Sequence, residues 1–359
     1  EGKGGLRDLQ TLYWIGKYLY QVEDATDLVD HGVFTKDEYK TFQKAEAFLW
    51  DVRCHLHCLT GRAEERLSFD VQPELAKRMG HADDNSHAAV ERFMRSYFLV
   101  AKDVGDLTRI FCAALEEQYK KQRPSVARLL PGFLQPRFSN DDFYIENGRL
   151  AARTGLFREN AVNMIRLFQT ADAKGVDVHP ATLRRVTRQL EFIDDNVRND
   201  PQANRLFLDI LCSHRDPERA LRRMNEAGVL GRFMPEFGRV VALMQFNMYH
   251  HYTVDEHLLM AVGFTARIER GEFRQENPLV SDLIKRVKSR EVLYVALLLH
   301  DMAKGLGARQ AEGTRSTLLR RVDRLDPRAI DLAHVGAVDD HERHQCPEER
   351  LLRHAGESQ

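Results

Sequence analysis

The stretch VLYVALLLHDMAKG, residues 292–305, decides how the chain is read. Eight consecutive apolar residues, Val292 to Leu299, are too few to span a bilayer and too many for a half-exposed strand; they describe a helix buried nearly all round. The helix runs into His300 and Asp301, then Lys304 near its C-terminal end and Gly305 in the position that closes a helix. A helix that only had to stop needs the glycine and little else. The His-Asp pair therefore marks a place where a buried helix surfaces into a cleft.

The element before it supplies a companion. In HHYTVDEHLLMAVGFTARIERG, residues 250–271, Thr253 and Glu256 have capping-box spacing, so Thr253 is the expected N-cap. Helical rotation then puts Val254, His257, Leu258, Ala261, Phe264 and Ile268 on one face, and His257 points inward from the first turn. Imidazole and carboxylate donors from two helices form a divalent-cation site: nitrogen suits transition metals, and the carboxylate suits Mg²⁺ or Mn²⁺. Such a cation lowers the pKa of water and polarises a phosphoryl oxygen, while a nearby lysine offsets phosphate charge. A histidine on an apolar face is more often structural. His257, His300 and Asp301 taken together favour a site.

Working outward, most of the chain reads as helix, over 8–22, 35–60, 87–119, 158–174, 181–196, 202–214 and 216–227. Thr35 and Glu38 form a capping box, Gly61 closes its helix, and Pro180, Pro201 and Pro217 sit near helix starts. Between Pro124 and Phe157 the pattern breaks. Pro124, Pro131 and Pro136 read as linker, and Asn147-Gly148, between FYIE and RLAA, reads as a hairpin near 142–152. The expected architecture is all-α with that one hairpin. It comprises a helical region over 1–123, a linker and second helical region over 124–234, a third domain over 235–307, and an atypical tail over 308–359. From Val295 to Gln359 there is no Phe, Tyr or Trp, against 9% overall.

Composition excludes several classes. The chain has 359 residues, 30% of them charged, and a net charge of −1, which argues against a nucleic-acid binder that relies on bulk positive field. No apolar run is long enough for a membrane span and no signal peptide is visible. Five cysteines suit free thiols in a reducing cytoplasm. Cys54-His55-Leu56-His57-Cys58 resembles a metal motif, but no second Cys/His pair lies near it in sequence, and the residues fit an amphipathic helix. His250-His251 borders the cleft or serves the surface. The start at Glu1, without Met, reads as that of a fragment.

The order His257, then His300-Asp301 after an apolar helix, resembles the HD-domain metal-dependent phosphohydrolases. HYTVDEHLL followed by LLLHDMAKG is more specific. With EGKGGLRDLQTLYWIGKY, GRAEERLSFDVQPELAKRMG (61–80) and LTRIFCAALEE, it resembles the bifunctional uridylyltransferase/uridylyl-removing enzymes that modify the nitrogen-regulatory PII signal protein. The resemblance spans roughly residues 1–307.

It implies that 1–123 holds the end of a nucleotidyltransferase domain and a helical domain, and that 235–307 is the N-terminal part of an HD domain. It implies His257, His300 and Asp301 as ligands of Mg²⁺ or Mn²⁺, and Lys304 as a phosphate contact. The intact enzyme would transfer UMP from UTP to a PII tyrosine and hydrolyse that bond again, with glutamine acting through further domains. The transferase's paired aspartates would lie upstream of residue 1, so hydrolysis is the chemistry expected of this chain. The expected downstream Asp-His-Ser is not found in GLGARQAEGTRSTLLRRVDRLDPR. A reading-frame shift after about Gly307 would account for that; otherwise His341, His344 and Asp339 or Asp340 read as replacement ligands, although a polar, aromatic-free tail is more often mobile. Two alternatives stand beside this reading: a phosphohydrolase acting on a free nucleotide, and an inactive module that binds PII.

Overall fold

The chain is seen in a computed structural model that describes residues 4–83, 88–122, 142–244, 246 and 252–303. Its first part is built from α1 (Leu6–Tyr20), α2 (Asp27–Asp30), α3 (Lys36–Thr60), α4 (Gln72–Arg78) and α5 (Ala89–Gln122). The start of α3 follows from local chemistry. Thr35 Oγ1 accepts from the Glu38 amide at 3.2 Å, and the Glu38 carboxylate accepts from the Thr35 amide at 2.7 Å. This reciprocal cap satisfies two amide donors that a helix start leaves open. Gly61 ends the helix at φ +67°, a left-handed conformation that suits glycine.

The apolar faces of α1, α3 and α5 enclose Leu9, Leu12, Phe42, Leu49, Leu107 and Phe111, with Leu28 and Phe34 between them. Farther along α3 and α5, a smaller cluster gathers Val52, Leu56, Leu75, Phe93 and Met94.

The hairpin stands where Asn147-Gly148 placed it. Strand β1 (Phe143–Glu146) pairs antiparallel with β2 (Arg149–Ala152), Glu146 opposite Arg149. Asn147 and Gly148 have φ +51° and +75°, the pair of left-handed residues that a two-residue turn of this hand needs. A third strand was not expected. The short β3 (Asp177–Val178) lies parallel to β2. Its two residues carry no periodic signal; it forms just after the helix over Val162–Lys174.

Helices then follow closely: α6 (Leu156–Glu159), α7 (Val162–Lys174), α8 (Pro180–Arg188), α9 (Asp195–Asn199), α10 (Pro201–Leu211), α11 (Pro217–Glu226), α12 (Val229–Phe233), α13 (Pro235–Val240), α14 (Val254–Glu269), α15 (Pro278–Leu283) and α16 (Arg290–Leu299). The expected helix over 181–196 is in fact α8 and α9 with a turn of 3₁₀ helix between them. Asp194, Asp200 and Asp216 each cap the following helix through an amide three residues on, at 3.0, 2.8 and 3.0 Å. Each such cap contributes on the order of 1 kcal/mol. Pro201 and Pro217 sit just inside two of these starts, where no amide proton is needed.

One large apolar cluster runs through this second half. It includes Phe143, Leu150, Phe168, Phe207, Leu221, Phe233, Phe237, Leu258, Val262, Tyr294, Leu298 and Met302. The helices after Pro235 thus share a core with those between 143 and 233. The two halves are also joined by polar contacts. Arg184 on α8 donates to Glu38 at 3.0 and 3.1 Å and to the Val33 carbonyl at 2.6 Å. Lys102 on α5 donates to the Asn225 carbonyl at 2.8 Å.

Helix α16 differs from its sequence reading. Only Tyr294, Val295 and Leu298 are buried, and Ala296 is exposed. An apolar run states what a helix tolerates; which faces are covered depends on its neighbours. The fold is therefore mostly helical, with one small sheet. The Lys304 assignment, the 308–359 tail, His250-His251 and the 124–141 linker lie outside the described residues.

Candidate metal centre

His257 lies in the first turn of α14, and His300 and Asp301 follow directly after α16. The helix ends just before the pair, so both side chains leave from its C-terminal turn. The structure brings the three residues together. Nε2 of His257 is 3.6 Å from Asp301 Oδ2, and Nε2 of His300 is 3.4 Å from the same oxygen. The imidazoles stand edge to face, with ring centroids 5.4 Å apart. One donor atom from each residue lies within 4.8 Å of the other two. Bonds of about 2.1 Å in tetrahedral directions separate two donors by about 3.4 Å, so both contacts to Asp301 have the spacing of ligands around one ion.

Side-chain exposures are 26% for His257, 35% for His300 and 13% for Asp301. The carboxylate is sheltered and the imidazoles reach solvent, as an accessible site requires. His257 is thus at the rim of the buried face of α14, not within it. The buried residues of that helix are Val254, Asp255, Leu258, Leu259, Val262, Gly263 and Ala266, so the face is turned from the one predicted.

A hydrogen bond fixes the chemistry of His300. Its Nδ1 lies 2.7 Å from the Leu297 carbonyl oxygen. A carbonyl can only accept, so Nδ1 carries the proton and a neutral His300 turns the Nε2 lone pair toward Asp301. A lone pair facing an anionic oxygen is unfavourable unless a proton or a cation lies between them. This donor set suits a divalent cation.

The surroundings hold α14 and α16 in register. Glu269, at the far end of α14, accepts from Arg290 Nε at 2.9 Å and from the Tyr294 hydroxyl at 2.7 Å. The Arg290 guanidinium also lies over the Tyr294 ring, 4.4 Å from its centroid. Burial pushes the Tyr294 hydroxyl well above the usual tyrosine range, which keeps it a donor.

At the near end, buried Asp255 accepts from Asn225 Nδ2 and from the Ala242 amide, both at 3.1 Å. The predicted capping box at Thr253 does not form: Thr253 makes no side-chain cap bond. Glu256 instead pairs with Arg222 of α11, which also binds Glu218. A charged partner from another helix outcompetes a local amide. Arg222, Glu269, Arg290 and Tyr294 carry no spacing signal that sequence reading could have found.

Fold and site together define a mostly helical protein in which two packed helices assemble a His/His/Asp set. Comparison with known families gives two matches: GlnD PII-uridylyltransferase over residues 1–112, and the third domain of uridylyltransferase GlnD over residues 143–233. The chain belongs to the GlnD PII-uridylyltransferase family, a family of enzymes. No solved structure matches it. Among the described residues, no helix is long and apolar enough to cross a membrane.

Proposed function

We propose that His257, His300 and Asp301 hold a divalent cation, Mg²⁺ or Mn²⁺, and that this centre hydrolyses the phosphodiester joining UMP to a tyrosine of the PII signal protein. The observation that carries this reading is the convergence of two imidazole nitrogens on one sheltered carboxylate oxygen, at 3.6 and 3.4 Å. When bound, the cation supplies Lewis acidity toward a phosphoryl oxygen and lowers the pKa of water.

The chain's own residues do the rest. Asp301 provides the negative charge, and Leu297 holds His300 in the tautomer that offers Nε2. Glu269, with Arg290 and Tyr294, sets how far α16 stands from α14. Lys304 is a candidate contact for the phosphate, and the tyrosyl oxygen is the leaving group. The intact enzyme would also use UTP to attach UMP and would respond to glutamine through further domains, working in the cytoplasm. The match over 1–112 supports PII as the partner, against a phosphohydrolase for free nucleotides.

Release of UMP from uridylylated PII, with and without Mn²⁺, tests the reading. The expected result is Mn²⁺-dependent release that His300→Ala abolishes. Release from free nucleotides alone would favour the phosphohydrolase. Binding of PII with no Mn²⁺ uptake, unchanged in His300→Ala, would leave only an inactive binding module.

A further inference from the structure

Phe246 lies between α13 and α14, in the stretch that leads into the helix carrying His257, yet its contacts reach the first half of the chain. Its ring stacks on Phe69, just before α4, with centroids 4.0 Å apart and planes 1° from parallel. Its amide donates to Glu91 Oε1, in the first turn of α5, at 3.1 Å. Met244 and Phe246 also pack against the cluster of Val52, Leu56, Leu75, Phe93 and Met94. We infer that this anchorage positions His257: Phe246 ties the first turn of α14 to the helices of the first half, and its stack on Phe69 is the contact that sets that turn.

The route from Phe246 to His257 is short and hydrogen-bonded. Leu243 stands three residues before Phe246, so the chain between them spans at most about 11 Å. The Leu243 carbonyl accepts from the Val254 amide at 2.8 Å, and the Ala242 amide donates to Asp255 at 3.1 Å. Two consecutive residues are thus bound to the first two residues of α14. Ala242 has φ +58°, a left-handed conformation that persists in a residue with a Cβ only where its surroundings hold it. The His257 amide donates to the Thr253 carbonyl at 2.9 Å, so the imidazole springs from the same turn.

His300 and Asp301 leave from α16 instead. A shift of the first turn of α14 therefore moves one donor of the set against the other two, and such a set works only when held within about 0.5 Å. That the place of His257 matters to chemistry rests on the cation site proposed above; the anchorage itself does not.

Hydrogen exchange of the full chain in EDTA, read by mass spectrometry, tests this. Phe69→Ala removes the stack and leaves every residue of the second half in place; Phe69 is partly exposed, so the variant should fold. Exchange over residues 253–258 should rise about two- to tenfold, the worth of one aromatic pair, while exchange over 262–269, farther along the same helix, keeps the parent's rate. Phe69→Tyr, which retains a ring, should restore the parent's behaviour. The Mn²⁺ dissociation constant should rise by a similar factor in Phe69→Ala alone. Unchanged exchange over 253–258, an equal rise in both parts of α14, or Mn²⁺ affinity equal in Phe69→Ala and a metal-binding parent would overturn the inference. Failure of the parent to take up Mn²⁺ would refute the cation site and not the anchorage, which the exchange rates decide.

Discussion

Asp106 offers a stability prediction whose size and sign both follow from its surroundings. It sits on α5 where that helix meets α11, with Arg109 at 2.6 Å and Glu226 on the other side of Arg109 at 4.0 Å. Burial pushes its carboxyl up from 3.8 to about 6; Arg109 and Lys102 oppose the rise, and Asp103 and Glu226 add to it. A raised value means that the folded protein holds the proton more tightly than the unfolded chain. The contribution to stability is therefore complete below about pH 4 and is lost as pH rises through about 6.

Two pK units correspond to roughly 3 kcal/mol at most. The side chain is 31% exposed, and solvent screening reduces the figure to about 1–2 kcal/mol. Asparagine imitates the protonated acid. Asp106→Asn should thus be more stable than the parent by about 1–2 kcal/mol at about pH 8, and equal to it near pH 4. Urea unfolding at a series of pH values measures the difference directly. A gain that is flat across that range, or a variant less stable at about pH 8, would refute burial as the cause.

Three further expectations rest on single contacts. A Cβ at Gly263 would lie 1.9 Å from Glu218 Oε2 and 2.9 Å from Glu218 Cβ, so more than the flexible end of that side chain must move. Gly263→Ala should lose about 1–2 kcal/mol, overpacking exceeding the gain in helix propensity; a stabilised variant would contradict the close packing of α11 on α14. Glu38 both closes the cap at Thr35 and holds Arg184, so Glu38→Ala should destabilise by about 1 kcal/mol more than Arg184→Ala, which paired denaturation curves would reveal. Burial pushes the Cys212 thiol up to about 12, whereas Cys54, Cys58 and Cys112 are exposed. Mass spectrometry after iodoacetamide treatment at neutral pH should find Cys212 slower to react than Cys54, Cys58 and Cys112; equal rates would count against its burial.

What could be read from the sequence depended on the range of the interaction. The Asn147-Gly148 turn, the Thr35–Glu38 cap and the proline-led helix starts are settled within a few residues, and all three were legible. The Thr253 cap was misread because Glu256 is claimed by Arg222, thirty-four residues away in sequence. The α16 run was misread for a related reason: eight apolar residues cannot say that Ala296 faces solvent. In the candidate site, His257, His300 and Asp301 were visible as residue types at the ends of apolar helices. The residues that hold those helices together were not, since Glu269 meets Arg290 and Tyr294 only after α14 and α16 have packed.

The shared core between Phe143 and Met302 has a thermodynamic corollary. A cation gripped by residues 257, 300 and 301 would bind only the folded form, so its binding energy would add to the cohesion of that whole half rather than to one end of it. At a hundredfold excess over the dissociation constant the gain is about 2.7 kcal/mol. The concentration of such a cation would then govern how long the chain survives proteolysis.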